Sequence, residues 1–166
     1  MIKKLLLAVM IALPAFGFAQ KLAVVNTQSV VEALPDMAAA QTQLENASKK
    51  YNDELKNLQE AFQKSVTEFQ TLEKDASTPQ SIKDRRLEEL SGMQQKIEEF
   101  RATAAQDMQR QQEQLMAPIQ QKIVEAIKAV GTEGGYSMVF ENTTAIFTGA
   151  DVEDVTAKVK ARLGIK

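Results

Sequence analysis

Glu88-Glu89 and Glu98-Glu99 are, by residue type, the side chains in this sequence best suited to acid–base work. Two carboxylates do such chemistry when their oxygens converge on one reacting atom and their surroundings separate their pKa values. Adjacent residues of a helix point in different directions, so neither pair converges, and no pocket is implied. The sequence contains no Cys and no His. Thiolate nucleophiles, His-based triads and Cys/His metal centres are thereby excluded. No enzymatic activity, metal or cofactor is expected. Lys83, Arg85 and Arg86, beside Ile82, make a small basic spot where lipid contact could occur, but Asp84, Glu88 and Glu89 largely neutralise it. What remains is the chemistry of surfaces.

The elements that carry those surfaces are long. With 166 residues the chain has room for one ordinary domain. Aromatic residues make up 5% and Trp is absent, which suits solvated helices better than a thick core. The first nineteen residues read as a cleavable export signal. Lys3 and Lys4 precede an apolar run from Leu5 to Leu13, and Gly17-Phe18-Ala19 supplies small residues before a cut after Ala19. That run is too short to span a bilayer, which takes about 20 residues. Its removal takes two Lys and no acid, moving the formal charge from −2 to −4. An acidic balance argues against nucleic acid as a partner.

Lys21-Leu-Ala-Val-Val-Asn26 reads as a strand, and Asn26 or Thr27 caps a short helix ended by Pro35. From Met37 the pattern becomes heptad-like: Met37, Leu44, Tyr51, Leu58, Ser65 and Leu72 interleave with Leu55, Phe62, Phe69 and Ala76. A second seam runs through Leu87, Leu90, Met93, Ile97, Phe100 and Ala104, then Met108, Gln111, Leu115, Ile119, Ile123, Ala126 and Val130. Pro118 lies inside this second helix as a candidate hinge or fixed bend. Gly131 is expected to stop it. Between the two seams, Ser77 or Thr78 caps the second helix, Pro79 occupies its first turn, and Gln80 completes a capping box with Ser77. Tyr136 to Glu141 alternates as a strand, Ala145-Ile146-Phe147 reads as a returning strand, and Asp151 caps a last helix carrying Val152, Val155, Val159 and Leu163.

A lone hairpin of strands is marginal, so the strands at the two ends of the chain need each other. One continuous rod would hold them more than about 100 Å apart. The helices must therefore go out and return, with the turn near residues 76–80 as the far tip. The expected class is α+β: a small β-sheet or barrel body from residues 20–35 and 131–166, and a helical coiled-coil hairpin over 36–130. The seam has two readings. It simply holds the hairpin together, or its width lets part of it, notably Phe62, Val66, Phe69 and Phe100, face outward as an adaptable apolar surface.

The start "KLAVVNTQSVVEALPD", the amphipathic hairpin and the end "GGYSMVFENTTAIFTGADVEDVTAKVKARL" resemble the Skp (OmpH-like) family of periplasmic chaperones. The terminal motif is the more specific part; the hairpin would match many coiled coils. The resemblance implies a periplasmic homotrimer whose terminal strands form a small barrel and whose hairpins project as arms. It further implies that unfolded outer-membrane β-barrel proteins are held between the arms without ATP. Val24, Val25, Val139, Phe140, Ile146 and Phe147 would then belong to the trimer body. Phe62, Val66, Phe69, Met93 and Phe100 would line the cavity, with Ile82, Lys83, Arg85 and Arg86 at the arm tip. The best-known members are strongly basic, whereas this chain is acidic, so the resemblance does not carry lipid contact with it. The competing reading is a coiled-coil spacer or adaptor that binds one folded envelope partner.

Overall fold

The computed structural model describes residues 21–165. The expected export signal lies outside the described residues. The order is β1 (Leu22–Val25), α1 (Thr27–Glu32), α2 (Pro35–Lys74), α3 (Gln80–Glu133), β2 (Met138–Glu141), a 3-10 turn (Asn142–Thr144), β3 (Glu153–Asp154) and α4 (Thr156–Arg162).

β1 is short, β-branched and almost wholly buried, as befits a central strand. It ends at Asn26, whose side-chain oxygen accepts the Ser29 N–H at 2.7 Å and starts α1. Pro35 is the first residue of α2, where its missing N–H leaves nothing unsatisfied. α2 has 40 residues and α3 has 54, so they extend roughly 60 and 80 Å. They run antiparallel. Lys122 donates to Asp36 at 2.7 Å near the base, and Tyr51 OH donates to Asp107 at 3.1 Å midway. Both ties are separated by the same number of residues on each helix, so the pairing does not slip between them. α3 runs unbroken through Pro118.

The far turn closes by a different device from the expected capping box. Asp75 accepts from the Ser77 N–H at 2.8 Å, the Ser77 hydroxyl at 2.7 Å and the Thr78 hydroxyl at 3.1 Å. These bonds hold the Asp75 carboxyl below its usual range. A charged acceptor two residues upstream outcompetes the neutral Gln80 for Ser77, and α3 starts after Pro79 without a side-chain cap. Lys83 donates to the carbonyls of Glu73 (3.0 Å) and Asp75 (3.1 Å), tying the end of α2 to the start of α3.

The sheet has three parallel strands in the order β2-β1-β3. Parallel neighbours require long crossovers, and the entire helical hairpin serves as the connection from β1 to β2. Val24 lies opposite Phe140 and Ala23 opposite Val139, so the two ends of the chain meet as expected. The third strand is not the expected one. Ala145-Ile146-Phe147 forms no strand; the chain turns through Asn142–Thr144, and Glu153–Asp154 pairs with Ala23 and Val24 instead. The 3-10 turn, closed by Thr144 Oγ1 on the Glu141 carbonyl at 2.7 Å, diverts the chain before it can return along β2. The sheet of the single chain is open.

Drawing Glu153 and Asp154 into the sheet also delays the last helix. It begins at Thr156 rather than after Asp151, with Asp154 accepting the Thr156 N–H at 2.8 Å. Gly131 likewise does not stop α3, which continues to Glu133. The break comes at Gly134-Gly135. Gly135 has φ 64°, and a Cβ on Gly134 would lie 2.1 Å from the Tyr136 ring. The core sits where α3 meets the sheet: Ala23, Val25, Val30, Leu34, Ala40, Ile119, Ile123, Ala126, Val130, Val155 and Val159 form one buried cluster.

A polar knot closes the body surface. Glu153 accepts from Lys158 and from Tyr136 OH, and Lys21 sits 4.2 Å from the Tyr136 ring centre. The Lys158 bond, then the Tyr136 bond, lower the Glu153 pKa from 4.5 to about 2. Its contribution to stability is complete above 4.5 and disappears as the pH falls toward about 2. Lys158 shifts up for the same reason, so its share persists through neutral pH and fades only above the ordinary lysine range. The knot is solvent-screened, which makes the effect modest. Glu153→Gln should melt below the parent near pH 6, with the difference closing as acid is added. Melting curves at stepped pH check this, and a gap that stays constant would assign the stabilisation elsewhere.

Candidate binding surfaces of the arm and body

Two kinds of apolar surface coexist, and the helical register decides between them. Within the arm, Phe62, Val66, Phe69, Met93 and Phe100 are all half-buried, neither enclosed nor free. Phe100 lies 6.1 Å from Tyr51, ring centre to ring centre, tilted by 56°. That is an aromatic pair across the hairpin. Phe69 shares a cleft with Ser65, Leu90 and Met93, of only about 20 Å³, room for little more than a water. Ile97 alone among the upper-arm residues is fully buried. The seam holds the two helices together while leaving the edges of its large side chains open to solvent.

The more exposed apolar side chains lie elsewhere. At the tip, Ile82 and Leu87 are exposed; near the base, so is Val124. In the body, Met138 and Phe140 project from the outer face of β2, and Ile146 and Phe147 stand free on the loop that follows. The six residues expected in the trimer body therefore divide. Val25 is buried in the chain's own core cluster and Val139 packs against it; Val24 is buried outside that cluster, opposite the half-exposed Phe140, whereas Ile146 and Phe147 have little contact within the chain.

The charged candidates are mostly engaged. Arg86 donates to Glu89 at 2.7 Å, Arg85 lies 3.6 Å from the same carboxylate, and Lys83 is committed to backbone carbonyls. The tip consequently offers less free positive charge than its composition suggests. Glu98 is paired with Arg101 at 2.8 Å, and Glu99 accepts from Gln95 at 2.8 Å. Neither carboxylate pair builds a site. Among the described residues no cluster of metal-ligating side chains occurs, and no helix is long and apolar enough to cross a membrane. Pro118 borders an open groove at the arm base with Ala39, Ala40, Leu115 and Ile119, bridged by the Asp36–Lys122 pair.

Sequence reasoning missed three features. Val124 lies off the seam periodicity. Met138 falls within a strand pattern that does not mark it as exposed. The Tyr136–Glu153–Lys158 knot joins residues whose spacing carries no motif. The two adjacent glycines before Tyr136 were the one available signal that a ring packs closely there.

A small open sheet, a long two-helix arm and solvent-facing apolar edges define a protein of the arm-and-body class. The chain belongs to the OmpH-like family: the family model described as "Outer membrane protein (OmpH-like)" matches residues 21–163. It is 34% identical over 144 residues to a protein of Pectobacterium atrosepticum named "Chaperone protein Skp", covering 85% of this chain and 84% of that one. The protein of the same name from Yersinia enterocolitica is 30% identical over 142 residues, again covering 85% and 84%. An OmpH-like protein from Caulobacter crescentus shares the fold, with a TM-score of 0.76 at 12% identity, over 86% of this chain and 83% of that one. These relatives are chaperones by name, not enzymes.

Proposed function

We propose that this chain is an ATP-independent periplasmic holdase. Three copies associate through their bodies, and the arms enclose unfolded outer-membrane β-barrel proteins and keep them from aggregating. The observation that carries the reading is the half-open seam. Phe62, Val66, Phe69, Met93 and Phe100 present apolar edges along the arm without forming a closed pocket. Such edges make many weak contacts, each on the order of 1 kcal/mol or less, that add together yet release singly. Capture without nucleotide follows from that. The relatives named as chaperones support the class, and the leader-like residues before Gln20 support export to the periplasm.

The free apolar residues of the body, Phe140, Ile146 and Phe147, are the proposed contact between copies. The two open edges of the sheet are covered in the same step, which removes exposed strand groups that would otherwise invite aggregation. Pro118, at the groove where the arm leaves the body, is the proposed hinge. Its missing N–H leaves one backbone bond of α3 unmade there.

The test is dilution of a urea-unfolded outer-membrane barrel protein into buffer with and without the chain, followed by light scattering. Equimolar trimer should suppress the scatter. The triple change Phe62→Ser, Phe69→Ser and Phe100→Ser should cut that suppression several-fold while sedimentation still reports a trimer. Full suppression by the triple variant would remove the seam from the site. Saturable binding of a native envelope protein, with indifference to unfolded ones, would replace the holdase by an adaptor.

A further inference from the structure

Gly92 is the only glycine of the arm helices away from their ends, and packing does not explain it. A Cβ at Gly92 would meet nothing within 4 Å. The residue lies inside α3, so it is neither a cap nor a point of close approach. Its effect is to weaken the helix, since glycine there is disfavoured against alanine by about fivefold in the local equilibrium. Ser91 precedes it, and Gly/Ser pairs are among the few sequences at which long helices bend.

The facing helix is weak at the same height. The register that pairs Asp36 with Lys122 and Tyr51 with Asp107 sets Val66 opposite Gly92 and Thr67 opposite Ser91. Ser65, Val66 and Thr67 are three of the weaker helix formers in succession. Ser65 also takes the seam position midway between Leu58 and Leu72, so it brings no apolar side chain to the contact. The hydroxyls of Thr67 and Thr71 donate back to the carbonyls of Gln63 and Thr67, at 3.0 and 3.1 Å. Such bonds compete with the helix ladder and favour bending. The small cleft between Ser65, Phe69, Leu90 and Met93 lies at this level too.

On either side the arm is braced. Towards the tip, Arg85 and Arg86 engage Glu89, Gln80 donates to Asp84 at 2.8 Å, and Lys83 ties the two helices together. Towards the base, Gln95 donates to Glu99, Arg101 pairs with Glu98, Ile97 is enclosed, and Tyr51 meets Phe100. Between them, among the described residues, no side-chain hydrogen bond or ion pair involves residues 90–94.

We infer that the arm carries a joint at Ser65–Thr67 and Ser91–Gly92, separate from the proposed hinge at Pro118. About it the outer segment, about 18 Å long, swings as one stiff unit. Two helices weakened at one height bend together, whereas a weak point on one alone is splinted by its partner. The use of the joint rests on the holdase reading: a swinging outer segment lets the space between arms follow the size of the client.

The experiment reads amide hydrogen exchange residue by residue on the full chain, for the parent, Gly92→Ala and the control Gln106→Ala. After correction for intrinsic rates, the parent's amides at 92–96 should exchange several-fold faster than those at 84–88 and at 98–102. Gly92→Ala should slow them about fivefold, and Gln106→Ala should leave them unchanged. The added methyl meets no neighbour, so the variant keeps the fold, and sedimentation verifies that its oligomeric state is the parent's. A smooth rise in exchange from residue 102 to the tip would be fraying and overturns the joint. So does a Gly92→Ala variant that exchanges like the parent.

Client handling is read separately, by light scattering with a small and a large unfolded barrel protein. Gly92→Ala should protect the small one as the parent does and lose several-fold of its effect on the large one. Equal protection of both by the variant overturns the use assigned to the joint. If the parent protects neither, the holdase reading fails, while the exchange rates still decide whether the joint exists.

Discussion

Ile146→Ser with Phe147→Ser is expected to convert the proposed trimer to monomers while leaving the far-ultraviolet spectrum of the chain unchanged. Phe147 is 85% exposed and Ile146 wholly so; neither supports the fold of the chain that carries it. Removing them therefore takes no burial from the monomer. In an assembly, full burial of an Ile and a Phe is worth about 1.5–3 kcal/mol each. The pair would weaken association by roughly 3–6 kcal/mol per chain, or about two to four powers of ten in each step. Sedimentation equilibrium at micromolar concentration reads this directly. A variant that sediments like the parent would remove the loop from the contact between copies and leave Phe140, with Met138 beside it on the outer face of β2, as the next to test. Aggregation suppression should fall in parallel, since separate arms enclose nothing.

Val159→Asp should have the opposite signature, loss of the body fold itself. Val159 is fully buried, against a cluster that includes Val30, Val155 and Val130. It sits on α4, a helix of seven residues, too short to persist without its packing. Two polar ties assist it, Lys160 to Ser29 at 2.7 Å and Arg162 to Glu133 at 2.6 Å, but neither replaces the buried face. An unpaired carboxylate there would cost several kcal/mol, on the order of 4, whether it stays charged or takes up a proton. Releasing α4 also frees β3, whose two residues pair only with β1. The expected result is a melting transition lowered by ten degrees or more, on the order set by a cost of that size in a domain of this length. The conservative Val159→Ala should lower it by a fraction of that amount. If Val159→Asp melts with the parent, the body core is not what limits stability.

Much of the arm was readable in advance because helix patterning is local. Tyr51, Leu55, Leu58 and Phe62 recur at helical spacing whatever lies across from them, and no Gly or Pro interrupts the run. That the chain ends must meet followed from the weakness of isolated strands, and Val24 does lie opposite Phe140. The role of each seam residue was not readable. Whether Ile97 is enclosed and Phe62 half-open depends on the facing helix, and that register is set by Asp36–Lys122 and Tyr51–Asp107 at a distance in sequence.

A long helical hairpin on a small body and the absence of Cys and His chemistry follow from composition and local period, and the terminal motifs carry the resemblance to the family. Tertiary structure alone decided which segments complete the sheet. Ala145-Ile146-Phe147 has the side chains of a strand yet finds no partner within the chain. Glu153–Asp154 has none of them and pairs with β1, because its backbone is brought to the open edge by Val155 and Val159 entering the core. Strand identity depends on an available neighbour as much as on side chains, and that neighbour is more than a hundred residues away.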